Sequence, residues 1–142
     1  MTIDPSTRDT LARVTAMFLQ SPCIAHLGLD DVALTAAGEV TATMTLKPAH
    51  ERMPGSNQFH GGPIAAFIDT VGDLAVAIAV GGGVPTFNLR VDYLKPAMGP
   101  HLVGVARVRR LGRSIAVADV DVMNADGALV AIGRAAYQPV AG

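Results

Sequence analysis

Residues 59–80 read FHGGPIAAFIDTVGDLAVAIAV, and how this stretch folds decides the architecture of the chain. It predicts a helix over residues 60–80. Pro63 falls in the first turn, where its missing N–H would have no intrahelical partner, and Gly81-Gly82-Gly83 stops the helix at the far end. The apolar side chains Ile64, Phe67, Ile68, Val71, Leu74, Val76 and Ile78 point in most directions around the axis. A helix apolar all round must be buried nearly all round.

Strands must supply that cover. Downstream, alternating segments recur at Phe87–Leu94, Leu102–Arg110, Ser114–Met123 and Leu129–Gln138, with Asn124-Ala125-Asp126-Gly127 as a turn. Upstream, Val40, Ala42, Met44 and Leu46 alternate with Glu39, Thr41, Thr43 and Thr45, the period of a half-buried strand. A strand near Leu27–Leu34 can pair with it through Ala36-Ala37-Gly38. Lys47–Phe59 is then a polar loop long enough to suggest a functional role. At the start, Asp4-Pro5-Ser6-Thr7 opens a modest N-terminal helix that Ser21-Pro22 stops. The expectation is α+β: an antiparallel sheet of about six strands curled around one long buried helix, plus a short N-terminal helix over residues 1–22.

Composition bounds the rest. The 142 residues, half of them hydrophobic, suffice for one domain, 1–142, and are too few for two. With 11 Lys plus Arg against 12 Asp plus Glu, nothing calls for nucleic acid or an anionic membrane as partner. Two aspartates, the glycine run and Pro85 interrupt the apolar stretch, so no membrane span is expected. The lone cysteine, Cys23, and the absence of a leader pattern point to a reducing, cytoplasmic setting. His26, His50, His60 and His101 lie far apart without ligand spacing, so no metal site is expected.

The residues of the central stretch carry chemistry of their own. Glycines at a helix start admit a ligand close to the backbone, and the first amides sit unpartnered at the positive end of the helix dipole. Gly61 and Gly62 are therefore candidates to hold an oxygen on which negative charge develops, although they could merely permit a tight turn. His60 could cap the helix or touch substrate. Asp69 lies mid-helix with no Lys or Arg between Phe59 and Leu89. A carboxylate there needs hydrogen bonds from elsewhere, or it serves to activate water or attack an electrophile. Asp73, one turn on, shares its face and could position water, raise the pKa of Asp69 or bind backbone. Arg107, Arg109, Arg110 and Arg113 form a local positive patch on a strand, turn and strand, fit for phosphates or simply a solvated hairpin tip.

Phe59-His60-Gly61-Gly62 followed by Ala65, Phe67-Ile68-Asp69 and Leu74-Ala75 resembles the signature of the PaaI-like hotdog-fold acyl-CoA thioesterases, with the acid at the family's spacing. The likeness extends through Thr86–Ala97, Gly112-Arg113-Ser114, Asp126-Gly127 and Ala131-Ile132-Gly133-Arg134. It implies hydrolysis of an acyl-CoA thioester with Asp69 as general base or nucleophile, CoA held near Arg110, Gly112, Arg113 and Ser114, and no cofactor. It also implies a homodimer whose active site is shared across a two-fold axis, with pairing of dimers into a tetramer as the further expectation. Thr86 occupies a place where some relatives carry a serine near the nucleophilic water, and as a β-branched residue it also suits a strand. The sequence departs from the pattern at Pro54, where many members have asparagine, and Asn57 is the candidate substitute. Two other readings stand beside hydrolysis: a hotdog hydratase or dehydratase, and a non-catalytic acyl-CoA binding or sensing module.

Overall fold

The computed structural model describes residues 3–140. Helix α1 spans Pro5–Leu19, α2 Pro22–Leu27, and α3 Gly61–Val80; strands β1 to β6 span Leu29–Leu34, Val40–Thr45, Thr86–Tyr93, His101–Leu111, Ala116–Asn124 and Leu129–Tyr137. The six strands form one antiparallel sheet in the order β1-β2-β4-β5-β6-β3, with α3 laid across it. This is the expected hotdog arrangement.

Each boundary has a local cause. Asp4 caps α1 by accepting the Thr7 amide at 3.1 Å, and Pro5 takes a first-turn position. Ser21-Pro22 ends α1 as expected, but it also begins α2, an additional helix beyond those the sequence predicts. Ser21 caps the new helix, Pro22 has the backbone angle its first turn needs, and Gly28 closes it at φ +80°. The first strand consequently starts at Leu29 and not at Leu27.

The inner face of the sheet and α3 share one core, in which Met44, Phe67, Ile68, Val71, Leu74, Leu102, Val120 and Val122 are buried. Close approach depends on three glycines. A side chain at Gly104 would meet the Phe67 ring at 3.1 Å, one at Gly133 would overlap Ile68, and one at Gly72 would overlap the Tyr137 hydroxyl. α1 covers a second flank of α3 with Val14 and Phe18, and Arg13 donates to the Gly81 carbonyl at 3.0 Å.

The expectation that α3 is buried nearly all round holds for two of its faces within one chain. Its third face, with Ala65, Ala66, Asp69, Thr70 and Asp73, is only half-buried within one chain. Among the described residues the sheet covers one side and α1 another, and the acids are met only by the segment entering β3, through Thr86 on Asp69 and Val84 near Asp73. β3 is likewise an open edge, with Phe87 and Tyr93 both more than half exposed. α3 is also long and apolar enough to cross a membrane by length and composition, but it is the core helix of this sheet.

Candidate active site

The loop before α3 is built around His50, which in the sequence carries no signal beyond lacking metal-ligand spacing. Its side chain is 2 % exposed, stacked on Phe59, with Nδ1 near the Thr45 carbonyl at 3.2 Å and the Lys47 amide at 3.3 Å. Burial, first of all, holds its pKa below the ordinary histidine value. The His50 carbonyl accepts the His60 amide at 2.7 Å, which fixes where α3 begins. His60 is the N-cap: its Nδ1 accepts the Gly62 amide at 3.4 Å. From the other side the Tyr93 hydroxyl donates to the Gly61 carbonyl at 2.7 Å.

His60, Gly61, Ile64 and Tyr93 line a groove of about 310 Å³ together with Arg52, Gln58 and Lys95. Asn57 does not line it. It sits at φ +56°, and its carbonyl is engaged by the Gly99 amide at 3.1 Å. Gln58 is therefore the amide side chain that the fold places beside His60.

Asp69 lies two turns further along α3, half-buried. The Thr86 hydroxyl donates to its Oδ1 at 2.8 Å, and the buried Tyr137 hydroxyl donates to its backbone carbonyl at 2.9 Å. Thr86 thus belongs to the same cluster as the acid, and its β-branched shape is only part of its role. Tyr137 had no sequence signal beyond closing an alternating strand. Asp73 is more enclosed: its Oδ1 is buried and has no hydrogen-bond partner. Burial, and then the charge of Asp69, raise its pKa to about 7, and the Val84 amide offsets this only in part. Neither carboxylate forms an ion pair among the described residues.

The arginine patch divides. Arg107 bonds Glu39 and, at 2.8 Å, Asp121, while Arg109 lies 3.5 Å from Asp119. Arg110 and Arg113 have no acidic partner among the described residues. They flank a tight tip where the Gly112 amide donates to the Ile115 carbonyl at 2.8 Å, with Ser114 exposed beside them. Leu111, Ala116, Tyr137 and Thr86 form one row across the sheet. Three strand spacings of about 4.8 Å put the tip on the order of 14 Å from Thr86, at the Asp69 end of the sheet. Tyr93 and Gly61 mark the opposite end. Among the described residues no three His, Cys, Asp or Glu side chains cluster as a metal would need.

The chain is similar to proteins named as thioesterases and esterases. The Thioesterase superfamily model matches residues 57–131. A Halobacterium salinarum protein provisionally named an esterase is 38 % identical over 105 residues, covering 64 % of this chain and 69 % of its own. The acyl-coenzyme A thioesterase PaaI of Escherichia coli is 26 % identical over 128 residues, covering 89 % of each chain. A crystal structure from the thioesterase superfamily superposes with a TM-score of 0.84 at 30 % identity, over 95 % of this chain and 99 % of the other.

Proposed function

This chain belongs to the thioesterase superfamily, among its PaaI-like members, and we propose that the thioester it hydrolyses is an acyl-CoA, with Asp69 as the base. The observation that carries the assignment is the setting of Asp69: a half-buried carboxylate without a cation, oriented at one oxygen by Thr86. Thr86 occupies one carboxylate oxygen, which leaves the other to accept a proton. In the proposed reaction Asp69 takes a proton from water as the water oxygen bonds the thioester carbon. The carbon–sulfur bond then breaks, and the thiolate leaves with a proton returned from Asp69. The Gly61 and Gly62 amides hold the carbonyl oxygen as it becomes negative. The Gly62 contact to His60, at 3.4 Å, is at the long limit for a hydrogen bond, so an oxyanion competes for that N–H. Arg110 and Arg113, the patch arginines without acidic partners, would receive the CoA phosphates.

Gly61 and Asp69 cannot serve one thioester within one chain. Eight residues of helix separate them by about 12 Å along the axis. The half-open acidic face of α3 and the open edge of β3 support a two-fold dimer in which one chain's Asp69 meets the partner's helix start. A single observation favours a second reading, a non-catalytic acyl-CoA binder: Asn57, the candidate for the asparagine missing at Pro54, does not line the groove. Release of free thiol from acetyl-, hexanoyl-, palmitoyl- and phenylacetyl-CoA decides between them. The wild type should turn over at least one ester with saturation, and Asp69→Asn should lower kcat by about 10² or more. Tight binding with no turnover on any ester would establish the binder.

A further inference from the structure

Asp73 stands where a carboxylate is hardest to explain. Its Oδ1 is buried without a donor, yet the side chain is on the same face of α3 as Asp69 and one turn away, a spacing that puts the two Cβ atoms about 5–6 Å apart. The segment entering β3 runs past both acids, with the Val84 amide near Asp73 and the Thr86 hydroxyl on Asp69. Among the described residues, the groups facing Asp73 supply no positive charge. Asp69 is the charged neighbour on its own helix; from β6 comes the Tyr137 phenol, whose pKa burial, foremost, drives above its ordinary value. On α1 the Arg13 guanidinium is committed to the Gly81 carbonyl.

An ionised carboxylate in this place would lack a donor for Oδ1 and face a like charge. A protonated one is a hydroxyl donor of fixed position. Building on the proposed hydrolysis, we propose that Asp73 is a positioning residue which keeps its proton while Asp69 acts as base, its O–H orienting the water that Asp69 deprotonates. Two carboxyl groups at this spacing are suitably placed for one water to bridge them. The proton on Asp73 is not consumed: Asp69 receives the proton of the attacking water and returns it to the leaving thiolate, so Asp73 ends the cycle as it began.

The consequence is a dependence on pH with a definite sign. With the Asp73 pKa at about 7, the O–H is present below that pH and lost above it, so kcat should fall on the alkaline side. The test uses the full-length protein with whichever ester of the panel it turns over fastest. Wild type, Asp73→Asn, Asp73→Ala and Asp69→Asn are each assayed for kcat and KM from pH 5.5 to 9. The carboxyl carbon of Asp73 is titrated in parallel by NMR.

Asp73→Ala should lower kcat at pH 6 by about tenfold or more with little change in KM. Asp73→Asn, which keeps a donor and has no proton to lose, should recover most of that loss and show no alkaline fall assignable to residue 73. The wild-type Asp73 carbon should titrate near neutrality. The proposal is overturned by an Asp73 that titrates below pH 5, by Asp73→Ala with wild-type kcat, or by Asp73→Asn as impaired as Asp73→Ala while both fold normally by circular dichroism. These outcomes differ from failure of the hydrolase assignment itself, in which the wild type turns over no ester. Turnover that depends on Asp69 but is indifferent to Asp73 would sink the positioning role alone.

Discussion

Thr86 donates one hydrogen bond to Asp69, and that bond holds the carboxylate at the entrance to β3 instead of letting it swing into solvent. The orientation of a base matters as well as its presence, because a misplaced proton acceptor loses part of its advantage. Thr86→Val keeps the branched shape that suits a strand and removes only the hydroxyl. It should lower kcat by about tenfold, leave KM within about twofold and leave the melting temperature nearly unchanged. Thr86→Ser should restore most of the rate. An unaltered kcat in Thr86→Val would reduce the bond to a surface contact. At this scale the sequence was informative where a residue type carries chemistry: Asp69, Asp73 and the helix-start glycines stand out because charge and glycine are conspicuous inside an apolar helix. Tyr137, Tyr93 and His50 did not stand out. Their importance lies in hydrogen bonds to backbone carbonyls or amides, and the partner of such a bond leaves no trace in residue identity.

Among elements, α3 and the sheet meet closely enough that single atoms decide the fit. Gly72 faces Tyr137, and the Tyr137 hydroxyl in turn holds the Asp69 carbonyl, so packing and the proposed catalytic geometry pass through one contact. Gly72→Ala should therefore do two things. As an added methyl in a packed core it should cost about 1–3 kcal/mol of stability, despite alanine's better helix propensity. By displacing Tyr137 it should also lower kcat more than a remote variant of equal stability does. Chemical denaturation beside kinetics checks both, and a more stable Gly72→Ala enzyme of full activity would refute the coupling. The strands were legible from period-two alternation to within a residue or two at most ends, and α3 from its apolar run and glycine stop. The short helix α2 was not, because six residues carry no periodicity to read. What marks it is punctuation, Ser21-Pro22 before and Gly28 after, and the same residues that end one helix begin the next.

At the scale of the whole molecule, the two halves of the proposed chemistry sit at opposite ends of β3, with Thr86 bonded to Asp69 at one and Tyr93 bonded to Gly61 at the other. β3 runs antiparallel to β6 at the open edge of the sheet, and its side chains are far more exposed than those of β5, which alternate between buried and half-buried. The half-open acidic face of α3 adds a second uncovered surface. The apolar pattern predicts a helix buried nearly all round, whereas its acidic face is only half-buried among the described residues, and a second copy is the cover we propose for it. A two-fold arrangement pairing α3 with an antiparallel α3 would cover both surfaces and bring Asp69 of one chain beside the helix start of the other. Complementation tests this directly. Asp69→Asn lacks the base, and Gly61→Pro lacks an amide to offer at the helix start, so each homodimer should be inactive. Unfolded together and refolded as a mixture, the two chains should form heterodimers holding one doubly damaged site and one intact site. If chains assort at random and sites act independently, half the dimers are mixed and half the sites in each are intact, giving up to about a quarter of wild-type activity. The Gly61→Pro chain must first be shown to fold, since Tyr93 packs against Gly61 and a ring there perturbs that contact. Mass spectrometry then counts the heterodimers, and mixed dimers without recovered activity would mean that each chain works alone, with the oxyanion held by some group nearer to Asp69 than Gly61.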